Sequence, residues 1–449
     1  MHNKVRVAIA GVGNCASALV QGTLYYDRLH HGGFHNDGTS GSNDRLHYNR
    51  HVEKGRQGTS DLKRGNEISN KVRVSRSGNA DLAADANSSA KVNANVNATT
   101  DKDKDTVTDA HRDRDRDRDG SNSILEAPGL VTYNLGGIEP SDIEFVAAFD
   151  VVESKVGKDL AEAIFASPNN TIKICDVDKT GIKVEKGEVL DGVGKHLNQR
   201  VKISDKSPPK ISQILKDSGA EILINYLPVG SRQATKYYVE QCLDAGVSFI
   251  NAIPVFIAST PKWQQAFAGR NLACAGDDVM SQLGATVLHK TLVKLFVDRG
   301  VKIDETYQLN VGGDMDFYNM LDEERLEDKR ISKTSAVAAM APYEIPMRIG
   351  PSDFVGFLDN DKICYINMRG KYFGNVPIEL DIKLKVVDAY NSAGVMIDAI
   401  RGTKIAIDRG TNGPLESVSA YCFKHPPVQM SYSDAKTRFM EFIEGKIER

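Results

Sequence analysis

Four lysines in the C-terminal half carry the strongest chemical signal in the chain: Lys329, Lys333, Lys362 and Lys424. Lys329 and Lys333 stand in Lys-Arg-Ile-Ser-Lys-Thr, Lys362 in Phe-Leu-Asp-Asn-Asp-Lys-Ile, and Lys424 in Tyr-Cys-Phe-Lys-His-Pro-Pro. They lie downstream of a glycine-rich turn, Gly11-Val-Gly13-Asn14-Cys15-Ala16. A dehydrogenase needs one acid or base. Four separated lysines suit an anionic substrate that also forms an enolate, because ammonium groups in a water-poor site stabilise oxyanions far better than water does. Clustered lysines also lower one another's pKa, so one can act as a base. A lysine taken singly is ordinarily a solvated surface residue. Lys329 and Lys333 stand four apart, on one face if the segment is helical.

The elements that position these residues alternate between apolar runs and amphipathic stretches. Strands are predicted over 5–10, 143–149, 222–225, 247–251 and 272–276, with helices over 15–26, 153–164 and 231–245. That alternation implies a Rossmann-type doubly wound parallel α/β sheet with its site at the strand C-termini. Further on, a helix over 281–299, strands over 301–311, 363–368 and 378–387, and helices over 392–409 and 431–448 imply a second, mixed-sheet α+β domain. The expected division is a nucleotide-binding domain over 1–278, a catalytic and oligomerisation domain over 279–387, and a C-terminal segment over 388–449 that returns to the first domain.

Within the turn, Gly11 permits the tight bend, Gly13 lets backbone approach a pyrophosphate, and Ala16 allows close helix–strand packing. The helix N-terminus then offers free N–H groups to the anion. Asp150 ends the following strand, where a carboxylate bonds the adenosine ribose and repels a 2′-phosphate, favouring NAD over NADP. The gap from turn to acid is widened by residues 30–126, which are rich in Asn, Asp, Ser, Gly, Lys and Arg and include an Arg-Asp repeat over 111–119. Such a stretch buries too little apolar surface to offset its ordering entropy and reads as a disordered insertion. Its alternating charges cancel, so it offers no cationic arm for phosphates.

The chain has 449 residues, a net charge of -3 and a pI near 6.4, which favours neither nucleic acid nor membrane as a partner. No apolar run approaches the ~20 residues of a membrane helix, and the N-terminus runs straight into a strand without a signal-peptide pattern. Cys15, Cys175, Cys242, Cys274, Cys364 and Cys422 form no CxxC pair and read as buried free thiols of a reducing cytoplasm. No His motif accompanies Cys364 or Cys422, so both are expected to pack. The sequons at Asn87, Asn97 and Asn169 are then chance matches.

A series of longer motifs runs through the chain in order. They are Asn225-Tyr-Leu-Pro-Val-Gly-Ser231, Ala275-Gly-Asp-Asp278, Ser281-Gln-Leu-Gly-Ala-Thr286 and Asn310-Val-Gly-Gly-Asp-Met-Asp316-Phe-Tyr-Asn319. Lys329-Arg-Ile-Ser-Lys333-Thr, Gly350-Pro-Ser-Asp-Phe-Val and Asp388-Ala-Tyr-Asn-Ser-Ala-Gly394 continue the series. On these motifs the chain resembles myo-inositol-1-phosphate synthase of the archaeal and actinobacterial type, everywhere except the insertion. The resemblance implies conversion of D-glucose 6-phosphate to 1L-myo-inositol 1-phosphate, the first step of inositol and inositol-phospholipid biosynthesis. It proceeds by NAD-dependent oxidation at C5, enolisation at C6, attack of C6 on the C1 aldehyde and re-reduction, so the net reaction is an isomerisation.

The resemblance assigns Lys329, Lys362 and Lys424 to proton transfer and oxyanion stabilisation, and Lys333 to the phosphate. Asp316 and Asp388 orient those lysines. Cofactor contacts fall on Gly11, Gly13, Asn14, Cys15, Ala16, Asp150, Asn225, Pro228, Asn251, Pro254, Asp278 and Ser281. Substrate contacts fall on Ser281, Asn310, Asp314, Asn319 and Lys333, with Asp314 standing where the family pattern has Asn. A divalent cation, Mg²⁺ or Zn²⁺, would sit on Asp278 or Asp388, although these aspartates equally suit pairing with the lysines. A homotetramer built through the second sheet is expected. Two other classes stay open on residues alone: an oxidoreductase with net hydride transfer, and a non-catalytic NAD-binding sensor.

Overall fold

A computed structural model describes residues 4–31 and 127–449. The low-complexity stretch therefore lies outside the described residues, apart from His30 and His31, which end the helix Asn14–His31. Strand β1 (Val5–Ala10) is apolar and buried at every position but Arg6, the pattern of a strand covered on both faces. It pairs in parallel with β2 (Ile143–Asp150) on one side, and β2 pairs with β3 (Val184–Lys186). On its other side lie β4 (Ile222–Asn225), β5 (Ser248–Asn251) and β6 (Ala273–Gly276), also parallel. The chain thus winds outward from β1 in both directions, which opens a crevice at the carboxyl ends of β1 and β4.

A second sheet contains β7 (Lys302–Gly312), β8 (Met347–Phe354), β9 (Asp361–Lys371) and β10 (Pro377–Val387), in the order β10-β9-β7-β8. β9 runs antiparallel to both of its neighbours, while β7 and β8 are parallel. β10 alternates Ile378, Leu380, Ile382 and Leu384 with Glu379, Asp381, Lys383 and Lys385, the period-2 pattern of a sheet with one covered face. That face packs on Val293 and Phe296 of the helix Ala285–Asp298 and on Val337 of the helix Glu327–Ala338. The chain then returns to the first sheet. The helix Asp388–Asp408 packs along Asn14–His31, and β11 (Gly413–Pro414) adds a parallel edge to β6.

Arg401 in that returning helix is fully buried beside Asp398 and donates to the carbonyls of Tyr133 and Thr132 at 2.6 and 3.0 Å. This ties the segment that re-enters at 127 to the core.

Five helix predictions change, the first because the helix expected over 15–26 runs from Asn14 to His31. The expected helix over 153–164 shrinks to Leu160–Ala163, because Gly157 takes φ +93° and Asp159 caps the next turn through Ala161 N–H. The helix expected from 281 begins at Ala285, leaving Ser281 in the preceding loop. The helix expected from 392 begins at Asp388, and the last ends at Ile443.

Candidate active site

The glycine turn closes by contacts that sequence alone leaves undefined. Gly11 has φ +95°, and a Cβ there would meet the Tyr226 carbonyl oxygen at 2.5 Å, so only glycine fits. Around Gly13 the space is open. Asp150 Oδ2 accepts from Val12 N–H at 2.8 Å, and Oδ1 accepts from the N–H groups of Val151 and Val152. The Val12 carbonyl is gripped in turn by Lys155 Nζ at 2.8 Å and Asn169 Nδ2 at 3.1 Å. Asn169 also accepts from Lys155, whose ammonium lies 3.8 Å from Asp150. Burial pulls the Lys155 pKa down, and Asp150 offsets part of that fall. The Asn169 sequon is therefore a structural side chain with its amide already committed.

At the other end of the same cavity the four lysines converge from three separate segments. Lys329 Nζ donates to Asp316 Oδ2 at 2.8 Å, and Lys362 Nζ to Asp388 Oδ1 at 3.0 Å. Lys424 Nζ donates to Asp278 Oδ1 at 2.9 Å and to the Val279 carbonyl at 2.6 Å. Asp278 sits at φ +64°, a strained backbone position for a residue with a Cβ, and its Oδ2 accepts from Ser332 at 2.7 Å. Lys333 differs from the other three. It is 3% exposed and has no carboxylate partner among the described residues.

Electrostatics divide the four into two pairs. Burial opposes the charge on Lys329 and Lys362, but their carboxylates overcome it and raise both. For Lys424 burial outweighs Asp278, and the pKa falls. Lys333 is driven well below its ordinary value, first by burial and then by Lys362, Lys329 and Lys424. Asp388 and Asp278 are held low by the lysines despite their burial.

The remaining predicted residues divide into two groups. Asn14, Cys15, Pro228, Pro254, Ser281 and Asp314 line the cavity with the residues above. Ala16, Asn225, Asn251, Asn310 and Asn319 lie behind its wall. Ala16 is buried in a cluster with Ile9 and Val12. Asn225 and Asn251 form a polar bar under the ends of β4, β5 and β6, bonded to each other at 2.9 Å, with Asn251 donating to Asp277 at 2.7 Å. Asn310 donates to the Gly350 carbonyl and Asn319 to that of Val229. These amides shape loops whose other faces form the site.

A family model for myo-inositol-1-phosphate synthase matches residues 284–389. An inositol-3-phosphate synthase from Mycobacterium tuberculosis is 51% identical over 321 residues, covering 71% of this chain and 88% of that protein. The chain belongs to the myo-inositol-1-phosphate synthase family. A second relative, the inositol-3-phosphate synthase of Corynebacterium glutamicum, is 48% identical over 324 residues, 70% of this chain and 89% of that protein. The fold matches the crystal structure of a myo-inositol-1-phosphate synthase-related protein from Thermotoga maritima with a TM-score of 0.65, at 19% identity and covering 98% of each chain.

For this member of the myo-inositol-1-phosphate synthase family, the open space at Gly13 and the carboxylate at Asp150 fit a dinucleotide. A divalent cation fits less well. Among the described residues no three His, Cys, Asp or Glu side chains are placed to hold a metal ion, and Asp278 and Asp388 each hold a lysine. Sequence reading missed the roles of Lys155, placed in an expected helix, and of Asn169, noted only as a sequon; both sit in irregular backbone. It also missed Ser332, which stands between Lys329 and Lys333 and donates to Asp278, the partner of Lys424.

Proposed function

We propose that this chain converts D-glucose 6-phosphate to 1L-myo-inositol 1-phosphate, with NAD bound between the glycine turn and Asp150. Bound NAD supplies reversible hydride exchange with C5 of the sugar. Between the two transfers, enolisation at C6 and closure onto the C1 aldehyde put negative charge on the C5 and C1 oxygens. Lys329, Lys362 and Lys424 hold that charge and move the protons, each kept in place by Asp316, Asp388 or Asp278. Lys333 binds the phosphate: it alone lacks a carboxylate, and an incoming dianion restores its charge. The observation that carries this reading is the convergence of the lysine cluster and the glycine turn on one cavity. Relatives named inositol-3-phosphate synthase at about half identity support it.

The test is incubation of purified protein with glucose 6-phosphate and NAD. Inositol phosphate should form with no net accumulation of NADH. Stoichiometric NADH would establish an ordinary dehydrogenase instead.

The assembly we propose is a homotetramer joined through the second sheet. Its outward face exposes Tyr307, Leu309 and Tyr365 beside the Arg369–Glu305 and Arg369–Glu379 ion pairs, and light scattering tests it. A reducing cytoplasm suits the six free cysteines, and no helix among the described residues is long and apolar enough to cross a membrane.

A further inference from the structure

Pairing the charges at the lysine end of the cavity leaves two groups over: Lys333 and Asp314. Asp314 caps the short helix Met315–Asn319 through Oδ1, which accepts from Asp316 N–H at 3.0 Å and Phe317 N–H at 3.1 Å. Oδ2 accepts no hydrogen bond from any described residue. The side chain is 7% exposed and lines the cavity, so this unpartnered oxygen is presented to whatever fills it. The groups acting on it are mostly of its own sign. Asp388 and Asp316 line the cavity with it and oppose its charge, and Lys362, already committed to Asp388, favours it. The nearby Cys15 thiol is itself driven up to about 12 and stays protonated.

An ionised Asp314 would therefore set a fourth carboxylate, beside Asp278, Asp316 and Asp388, against an entering sugar phosphate. We propose that Asp314 meets the substrate as a neutral carboxylic acid, Oδ2–H donating to an anionic oxygen of the sugar phosphate, so that binding draws a proton from solvent onto the protein. This rests on the substrate reading above. Burial first, then Asp388 and Asp316, push the Asp314 carboxyl up to about 7, so its proton is within reach at ordinary pH. The arrangement also completes the charge logic of the site. The dianion gains one ammonium that had no partner and meets one acid instead of a fourth anion.

The test compares wild type with Asp314→Asn, which keeps the Oδ1 acceptor of the cap and replaces O–H by N–H as the donor. Glucose 6-phosphate is titrated calorimetrically from pH 6 to pH 8 in two buffers of different ionisation enthalpy. Wild type should take up close to one proton more than the variant at pH 8. Its affinity should fall by about ten-fold per pH unit relative to the variant above the titration of the carboxyl. Proton uptake by Lys333 is common to both proteins and cancels. Equal uptake and equal pH dependence overturn the inference alone, whereas no binding of glucose 6-phosphate by wild type at any pH overturns the substrate reading with it. Should the variant fail to fold, infrared difference spectra of wild type decide. A carboxylic-acid carbonyl band must appear on binding and must shift in protein carrying ¹³C-carboxyl aspartate. Its absence overturns the proposal.

Discussion

Replacing Lys333 by methionine is the cleanest perturbation of the site, because it removes a buried amine without stranding a carboxylate. The same change at Lys329, Lys362 or Lys424 would leave Asp316, Asp388 or Asp278 alone in a buried pocket. Two effects of Lys333→Met should run in opposite directions. Substrate binding loses a hydrogen bond between charged groups in a dry site, worth about 1.5–3 kcal/mol, so KM for glucose 6-phosphate should rise roughly 10- to 150-fold. NAD affinity should hold, since Lys333 makes no contact with the glycine turn. Stability should rise. In the unfolded chain the lysine titrates at its ordinary value, while in the fold burial and three other lysines pull it far lower. The folded state therefore binds fewer protons, and wild-type stability climbs with pH between the depressed value and 10.5. Each unit of that depression corresponds to about 1.4 kcal/mol. Methionine, of similar length and without charge, abolishes the slope. Steady-state kinetics, NAD titration and thermal melts at pH 7 and pH 9 read all three. An unchanged KM, or a lower melting temperature together with lost NAD binding, would refute the assignment of Lys333 as the open anion site.

Lys362→Met should cut kcat by about 10²–10³ with NAD affinity held, and melt lower because Asp388 is left unpaired, a cost on the order of 3 kcal/mol. Adding Asp388→Asn should recover the melt but not the turnover; recovered turnover would reduce Lys362 to a structural role. NAD should bind more tightly than NADP, and Asp150→Asn should narrow the gap, as read by titration of both cofactors; tighter NADP binding to wild type contradicts the assignment of Asp150. Asn169→Ala removes one of two grips on the Val12 carbonyl and should weaken NAD binding by about 1–3 kcal/mol while leaving the KM for sugar phosphate near wild type. A loss confined to KM would show that Asn169 does not act through the turn. His289, buried between Gln308 and Thr306, is depressed from 6.5 to about 4, chiefly by burial. Because the unfolded histidine takes its proton first, stability it contributes above pH 6.5 is lost as pH falls toward 4, roughly 3 kcal/mol in all. His289→Gln should flatten that acid limb in denaturant melts, and an unchanged limb would count against it.

Local sequence determines the parts of this protein that depend on neighbours in the chain. The apolar run of β1 and the turn at Gly11 and Gly13 follow from dihedral preference and side-chain period within a dozen residues, and the spacing of Lys329 and Lys333 gives them one face once the segment is helical. The exceptions lie where local signals compete, as over 153–164, where Gly157 and Asp159 break an otherwise helical stretch. Tertiary structure alone decides which carboxylate serves which lysine. The partners are 13 residues apart for Lys329, 26 for Lys362 and 146 for Lys424, and no periodicity spans such gaps. It also decides that Asn225 and Asn251 brace strand ends behind the cavity, that Lys155 and Asn169 hold the turn, and that Lys333 and Asp314 have no ion-pair partner among the described residues. Residue type is written in the sequence. Whether a charge is answered depends on burial and distance, and those are properties of the folded chain.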